Sequence, residues 1–356
     1  MTMRILFASE HIHFPQGGGG AERNTHELCL ALLRHGVAGG VICSLSADGS
    51  WLSYRNRLIR KLGRGVGFPR DDVAGYPVFR GWNEDGIAEV VRRFRPDAAI
   101  VQGTHPERQL KALGLAGVPA GVYIHEVVEV AHLVALAGSV PFLANSQFTA
   151  RRLRQACGIE AEVVLPLVEP SFYCTQVRPE RVLFVNTVPR KGLEIAFRLA
   201  ESRPDIPFDF VRGWILRAEQ RRDLERRASR TRNIVVHQPT GNMRQLYARA
   251  RLLLAPSQWE ETWGRVVTEA HINGIPVLAS NTGGLPESVG PAGITLAPDA
   301  PIEAWQAALS ALWDRPDEWQ RLSEQAKVYA KRDSVRPDRI VQQVHAFAVG
   351  LTARHG

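Results

Sequence analysis

Cysteine is scarce and scattered: Cys29, Cys43, Cys157 and Cys174 form no Cys-x-x-Cys or Cys/His spacing. That excludes a locally encoded disulfide framework or zinc site and fits a reducing, cytoplasmic compartment. No apolar run reaches the roughly 18 residues a membrane-spanning helix needs. The greasiest stretch, 122–144, is broken by His125, Glu126, Glu129 and His132. The first ten residues carry Arg4 inside their apolar run and lack the n-region and h-region of a secretory signal. No Asp-x-Asp pair occurs, so the usual carboxylate clamp for a divalent metal is missing, and nothing marks a Ser/His/Asp triad. Lysine is sparse too. Only Lys61, Lys111, Lys191, Lys327 and Lys331 stand among 44 basic residues, the rest being arginine, so each lysine is a candidate for a specific task.

What is present is the composition of an ordinary folded chain, 45% hydrophobic and 22% charged over 356 residues, a length that implies two domains. The net charge of +8 points to an anionic partner without naming it. Segments 4–8 (Arg-Ile-Leu-Phe-Ala) and 181–185 (Arg-Val-Leu-Phe-Val) are nearly the same word, short and apolar as buried parallel strands are. Further short strands are predicted at 41–43, 98–101, 122–124 and 142–144, then at 208–211, 234–236, 252–254 and 275–278, with helical patterns such as 84–94 between them. Alternating strand and helix implies parallel sheets with right-handed crossovers, hence an α/β chain of two Rossmann-like halves. The boundary falls in 166–178, near Pro166, Pro170 and Pro179, and helices follow at 302–313, 317–331 and 336–351. Ligands of such sheets sit at the carboxyl ends of the strands, so with two facing sheets the cleft between domains is the default site.

Two loops carry chemistry. Phe14 to Glu22 holds four consecutive glycines, Gly17 to Gly20, between a strand and a helical run at 21–35. Absent Cβ atoms and a helix start would let a phosphate or sugar approach the backbone, although the pattern is not Gly-x-Gly-x-x-Gly and also suits a surface turn. The second loop follows strand 252–254 and contains Glu261 and Glu269, eight positions apart, or about 12 Å if helical throughout. Between them Gly264, Arg265 and Val266 open a helix whose N–H groups suit a diphosphate. Carboxylate, anion hole, carboxylate is a layout for a nucleotide sugar. A glycosidase pair is disfavoured, since that chemistry wants carboxyls roughly 5 to 9.5 Å apart.

The string Pro256-Ser257, Glu261-x7-Glu269 and 276–287 (PVLASNTGGLPE) resembles the signature of retaining, nucleotide-sugar-dependent glycosyltransferases of family 4, which have the GT-B fold. Gly19-Gly20-Ala21-Glu22, Tyr123-Ile124-His125-Glu126, Ala144-Asn145-Ser146 and Pro189-Arg190-Lys191-Gly192 fall in the family's order. The resemblance implies two facing Rossmann-like domains: 1–168 with about 335–356 on the acceptor side, and 169–334 on the donor side. It further implies that Glu269 binds the ribose hydroxyls, Glu261 the transferred sugar, and Lys191 the diphosphate. Gly19 and Gly20 would let their loop close over the donor, and His125 would line the sugar pocket. One departure stands out: Val185-Asn186 replaces the family's Gly-Arg, so Asn186 occupies a donor-binding position without the second cation. Arg190, Arg212 and Arg265 are the candidates to replace it.

The implied activity is hexosyl transfer from a nucleotide diphosphate sugar to an acceptor hydroxyl with retention, in glycan, glycolipid or polysaccharide assembly. No metal or other cofactor and no nucleic acid is expected, because lysine, arginine and helix N–H groups can meet the leaving-group charge. Base, sugar, acceptor and oligomeric state are left open by the motifs. Alternatives are a nucleotide-sugar epimerase or phosphorylase of the same fold, or a silent nucleotide-sugar or polyanion binder. His11 and His13 alternate about Ile12, which would put both on one face for pocket lining, packing or metal binding. Finally, 51–64 reads as a helix with Trp51, Leu52, Tyr54, Leu58, Ile59 and Leu62 on one arc and Arg57, Arg60, Lys61 and Arg64 on the other. Such a helix suits either ordinary packing or peripheral contact with the inner face of an anionic membrane, where a lipid-linked acceptor would be met. The run 217–232 mixes acids into its arginines and reads as a solvated face.

Overall fold

The computed structural model describes residues 2–63, 67–81, 86–103, 105–127, 130–213 and 216–354. The chain divides into two units, Met1–Leu167 with Arg336–Gly356, and Val168–Val335.

In the first unit the strands are β1 (Arg4–Ile12), β2 (Ala38–Ser44), β3 (Arg70–Asp71), β4 (Val78–Gly81), β5 (Ala98–Gln102), β6 (Ala120–Ile124), β7 (Phe142–Ala144) and β8 (Ala161–Val163). They form one sheet in the order β3-β4-β2-β1-β5-β6-β7-β8, parallel except for the edge strand β3. Because successive side chains of a strand face opposite ways, β1 feeds two cores at once. Ile5 and Phe7 pack with Leu28 and Leu32 of helix Gly20–Arg34 and with Ile340, Val341 and Val344 of the last helix, Pro337–Ala353. Leu6 and Ala8 pack with Ile87 and Val90 of helix Ile87–Phe94 and with Leu113. The C-terminal helix therefore completes the core of the first unit.

In the second unit β9 (Arg181–Val185), β10 (Phe208–Val211), β11 (Ile234–His237), β12 (Ala250–Ala255), β13 (Val277–Ser280) and β14 (Gly293–Leu296) form an all-parallel sheet, order β11-β10-β9-β12-β13-β14. Counted from β9 this is 3-2-1-4-5-6, the doubly wound order whose switch point lies between strands 1 and 4. One face is rich in phenylalanine: Phe184 and Phe197 both meet Phe210 edge-on at 5.2 Å. The other packs Leu183, Leu253 and Val277 against Val267 and Ala270.

Several sequence expectations shift. The helix expected over 84–94 is Ile87–Phe94, with Glu84 and Asp85 outside the described residues. The strand expected at 275–278 is Val277–Ser280. His11 is exposed whereas His13 is buried, because β1 slips register between Ala8 and Ile12 and the strict alternation is lost. His13 is a packed residue, its Nε2 2.8 Å from the Tyr76 hydroxyl, and burial drops its pKa to about 3. The helix Trp51–Leu62 is present, Arg64 lying outside the described residues, but of the apolar arc only Leu52 is buried, beside the polar Ser53 and Asn56. Trp51, Tyr54, Leu58 and Leu62 face outward.

Candidate functional site

The second unit gathers most of the implied donor residues at the carboxyl ends of β9 and β12, the switch point of its sheet. After β9 the chain turns through Asn186, whose φ of 74° is a left-handed conformation that asparagine tolerates better than most residues. A single 3-10 turn, Pro189–Lys191, follows, then Gly192 at φ 82°. A Cβ on Gly192 would overlap the Pro256 carbonyl, so glycine lets the Lys191 loop lie directly on the loop after β12. Gln258 N–H donates to the Arg190 carbonyl at 2.8 Å, and the Arg190 guanidinium lies 4.7 Å from the Trp259 ring centroid.

That contact brings Lys191 Nζ onto Glu261 Oε1, with both side chains largely buried. Ser257 Oγ donates to the same oxygen at 3.1 Å. The backbone of Glu261 is fixed from the far side. A Cβ on Gly283, which sits at φ 61°, would strike the Glu261 carbonyl, and Gly284 N–H donates to that carbonyl. The Asn281-Thr282-Gly283-Gly284 turn after β13 thus acts as a clamp on Glu261.

Helix Arg265–Ile272 starts at Gly264, φ 82°, so Glu261 precedes the helix and the two-turn, 12 Å spacing read from the sequence does not hold. Gly264, Arg265 and Val266 lie at its amino end, where N–H groups lack intrahelical acceptors. Glu269, one turn in, is 5% exposed. Its Oε2 accepts the Tyr247 hydroxyl at 2.7 Å, and its Oε1 lies 3.6 Å from Arg265 Nε. Burial, first, and the Glu269 charge, second, raise the Tyr247 phenol well above its usual range, so it stays a donor.

The three arginines proposed to replace the family cation have different surroundings. Arg265 is buried, donating to the Tyr173 hydroxyl at 3.1 Å beside Glu269. Its charge is thereby engaged on that carboxylate. Arg190 is exposed against Trp259, and Arg212, at the end of β10, donates to Gln238 Oε1 at 2.6 Å.

The first unit carries the remaining candidates at the carboxyl edge of its own sheet. Gly19 is the N-cap of helix Gly20–Arg34, and the Glu22 carboxylate folds back where a Cβ on Gly19 would sit. Burial lifts the Glu22 carboxyl above the ordinary range, against backbone N–H groups that lower it. His125 follows β6, half-buried against Tyr123 with ring centroids 4.1 Å apart. Thr25 Oγ1 lies 2.7 Å from the Gln102 side-chain amide and 3.0 Å from the Ala21 carbonyl, and the other end of that amide lies 3.3 Å from His125 Nε2.

Sequence reading missed Tyr247, Tyr173 and Trp259 as supports of the site. Tyr247 lies in a separate short helix, Arg244–Tyr247, and no local spacing ties it to Glu269. Among the described residues no helix is long and apolar enough to cross a membrane. All four cysteines are unpaired.

This arrangement combines a lysine, helix N–H groups and two carboxylates, and so offers partners to anionic oxygens and to hydroxyls in one place. Comparison with known proteins gives it context. A D-inositol 3-phosphate glycosyltransferase of Corynebacterium kroppenstedtii is 34% identical over 98 residues, 27% of this chain and 21% of that relative. The match thus spans about a fifth of that curated relative. Among solved structures, a glycosyltransferase from Rickettsia africae superposes with a TM-score of 0.77 at 14% identity, covering 98% of both chains. Anabaena HepE in complex with UDP and glucose superposes with a TM-score of 0.74 at 20% identity, covering 98% of this chain and 100% of that one. These likenesses establish a GT-B fold, and residues 176–329 match the family of glycosyl transferases, group 1.

Proposed function

We propose that the chain is a retaining glycosyltransferase that moves a hexose from a nucleotide diphosphate sugar to an acceptor hydroxyl. The observation that carries this reading is the meeting of Lys191 and Glu261 at the switch-point edge, beside the helix that starts at Gly264 and holds Glu269. In this reading Lys191 and the N–H groups of Gly264, Arg265 and Val266 receive the diphosphate, and preorganised charge of this kind needs no metal. Glu261 Oε1 already accepts from Lys191 and Ser257, so Oε2 is the oxygen given to the sugar hydroxyls. Glu269, oriented by Tyr247, takes the ribose hydroxyls through its remaining lone pairs. The leaving phosphate oxygen takes the acceptor proton. His125 is assigned to the transferred sugar, and Gly19 and Gly20 to the loop over the donor.

A thermal-shift screen of UDP, GDP, ADP, TDP and their sugar conjugates without metal tests the donor assignment. A stabilising nucleotide that loses its effect on Glu269→Ala supports it. No shift with any of them refutes it. Donor turnover by water then reports stereochemistry, since a retaining enzyme releases the sugar with the donor's anomeric configuration. An epimerase would isomerise the donor with no acceptor, and a phosphorylase would require phosphate. The Asn186 substitution favours a second reading, a binder that stabilises with donor and never turns it over.

The acceptor in this reading is sugar- or lipid-linked, and the helix Trp51–Leu62 is the proposed membrane contact. Trp51, Tyr54 and Leu62 are 72%, 69% and 71% exposed, beside exposed Arg57 and Lys61. Aromatic and aliphatic side chains with interleaved cations suit the surface of an anionic bilayer. Sedimentation with anionic vesicles should fall when Arg57, Arg60, Lys61 and Arg64 become serine; unchanged sedimentation refutes the contact. The unpaired cysteines fit work in the cytoplasm.

A further inference from the structure

Three ligating side chains that the proposed reaction does not use converge at the carboxyl edge of the first sheet. His105 follows β5, Glu107 opens helix Glu107–Leu115, and His132 lies in a 3-10 turn, Val130–Leu136, after β6. Because β5 and β6 are paired neighbours, with Gln102 opposite Tyr123, the two connections that leave them emerge side by side. One ligand atom from each residue lies within 4.8 Å of the other two, and no other set of three among the described residues is so placed. His132 Nε2 stands 3.4 Å from Glu107 Oε1, and the two imidazole centroids are 4.9 Å apart, tilted by 40°.

A simple ion pair accounts for this poorly. A proton held between His132 and Glu107 involves two of the three groups and leaves out the second imidazole gathered with them. A metal ion meets all three. Zinc bonds of about 2.1 Å to nitrogen and oxygen set tetrahedral ligand edges of about 3.4 Å, the spacing already held by His132 and Glu107. His105 is exposed and the other two are half-exposed, so an imidazole can turn about its side-chain bonds to close the longer edge, and an ion has a path in. Two imidazoles and one carboxylate suit zinc, cobalt, nickel or copper better than magnesium or calcium.

We propose that His105, Glu107 and His132 bind one divalent transition-metal ion, zinc foremost, with a fourth position open to water or a ligand oxygen. The ion ties the connection after β5 to the turn after β6. Those same segments begin at Gln102 and His125, which are already in contact. The site is independent of the transfer reaction, and its test does not use activity. Tag-free full-length protein is stripped with a chelator, then titrated with zinc by calorimetry and with cobalt by visible absorption. One ion per chain is expected, with zinc raising the melting temperature and cobalt giving the d–d bands of a low-coordinate site. His105→Ala, Glu107→Gln and His132→Ala should each weaken binding by about 100-fold or more, beyond what loss of an outer-shell partner costs. Far-ultraviolet circular dichroism and the melting temperature in chelator check that each variant is folded. Wild type that binds no stoichiometric ion at micromolar zinc, binding undiminished in the variants, or loss confined to one variant would each overturn the proposal.

Discussion

The Lys191–Glu261 pair makes a prediction in which stability and ligand affinity move in opposite directions. Both side chains are largely buried, at 17% and 15% exposure, and Glu261 Oε1 carries the lysine and Ser257 together. Glu261→Gln keeps the shape and an acceptor oxygen but removes the carboxylate charge from beside the Lys191 ammonium. Removing one partner of a fully buried pair costs about 3–5 kcal/mol; the amide remains an acceptor and some solvent reaches the site, so about 2 kcal/mol is expected here. In the intact protein an incoming diphosphate must share that ammonium with Glu261. With the carboxylate gone the phosphate no longer competes with Glu261 for that ammonium, and a charge-assisted hydrogen bond is worth about 1.5–3 kcal/mol. Half of that tightens nucleoside diphosphate binding about 4- to 12-fold. Urea unfolding of the ligand-free variant and calorimetric titration with the nucleoside diphosphate chosen by the thermal-shift screen measure the two quantities. The nucleotide sugar should behave differently, since Glu261 is then lost to the sugar hydroxyls, and kcat should fall. A variant as stable as wild type that binds the diphosphate more weakly would refute the assignment of Lys191 to the phosphates.

Other perturbations follow from single contacts. Tyr247→Phe removes the donor to Glu269 Oε2 and, in the proposed reading where the ribose hydroxyls engage that carboxylate, should weaken ribonucleotide binding several-fold while leaving dideoxyribonucleotide binding unchanged; titration with both nucleotides is the check. Gly283→Ala places a Cβ against the Glu261 carbonyl at a left-handed φ, and should lower the urea midpoint and reduce kcat with it, the backbone strain alone costing about 1–2 kcal/mol. Acid should loosen both units: burial holds His13, and burial with Arg332 holds His271, at pKa values of about 3. Between about pH 6.5 and 3 the unfolded chain binds a proton at each that the folded chain does not, so stability is complete above that window and falls through it as the pH drops. At pH 5 the loss is about 2 kcal/mol per histidine, measured by urea unfolding at pH 7 and pH 5. A flat profile over that range would contradict the burial of these imidazoles.

How much of this was legible in the sequence depends on how local each determinant is. The strand words at 4–8 and 181–185 announce their sheets because strands buried on both faces need continuous apolar runs, and the packing of Ile5 and Phe7 to one side and Leu6 and Ala8 to the other is that requirement made visible. Positions that need glycine were readable as punctuation, but only the fold says what each admits: Gly192 makes room for Pro256, and Gly283 for Glu261. Periodicity failed where the backbone changed type. The Glu261–Glu269 spacing was measured along a helix that begins four residues too late, and the alternation of His11 and His13 was broken by a register slip in β1. The amphipathic arc of 51–64 left packing and membrane contact both open, and Leu52, Ser53 and Asn56 are what the helix buries. There a polar interior is held by hydrogen bonds, Ser53 Oγ donating to Asp48 Oδ1 at 2.6 Å and accepting from Gln16 Nε2 at 2.7 Å. Trp51, Tyr54, Leu58 and Leu62 of the apolar arc are left to face outward. Contacts joining distant segments were out of reach of any window: Tyr247 with Glu269, Gln102 with His125, and His105 with His132 are made by strand order, which no single segment encodes. Sheet topology is therefore what turns separate loops into sites, and it does so at the carboxyl edges of both sheets.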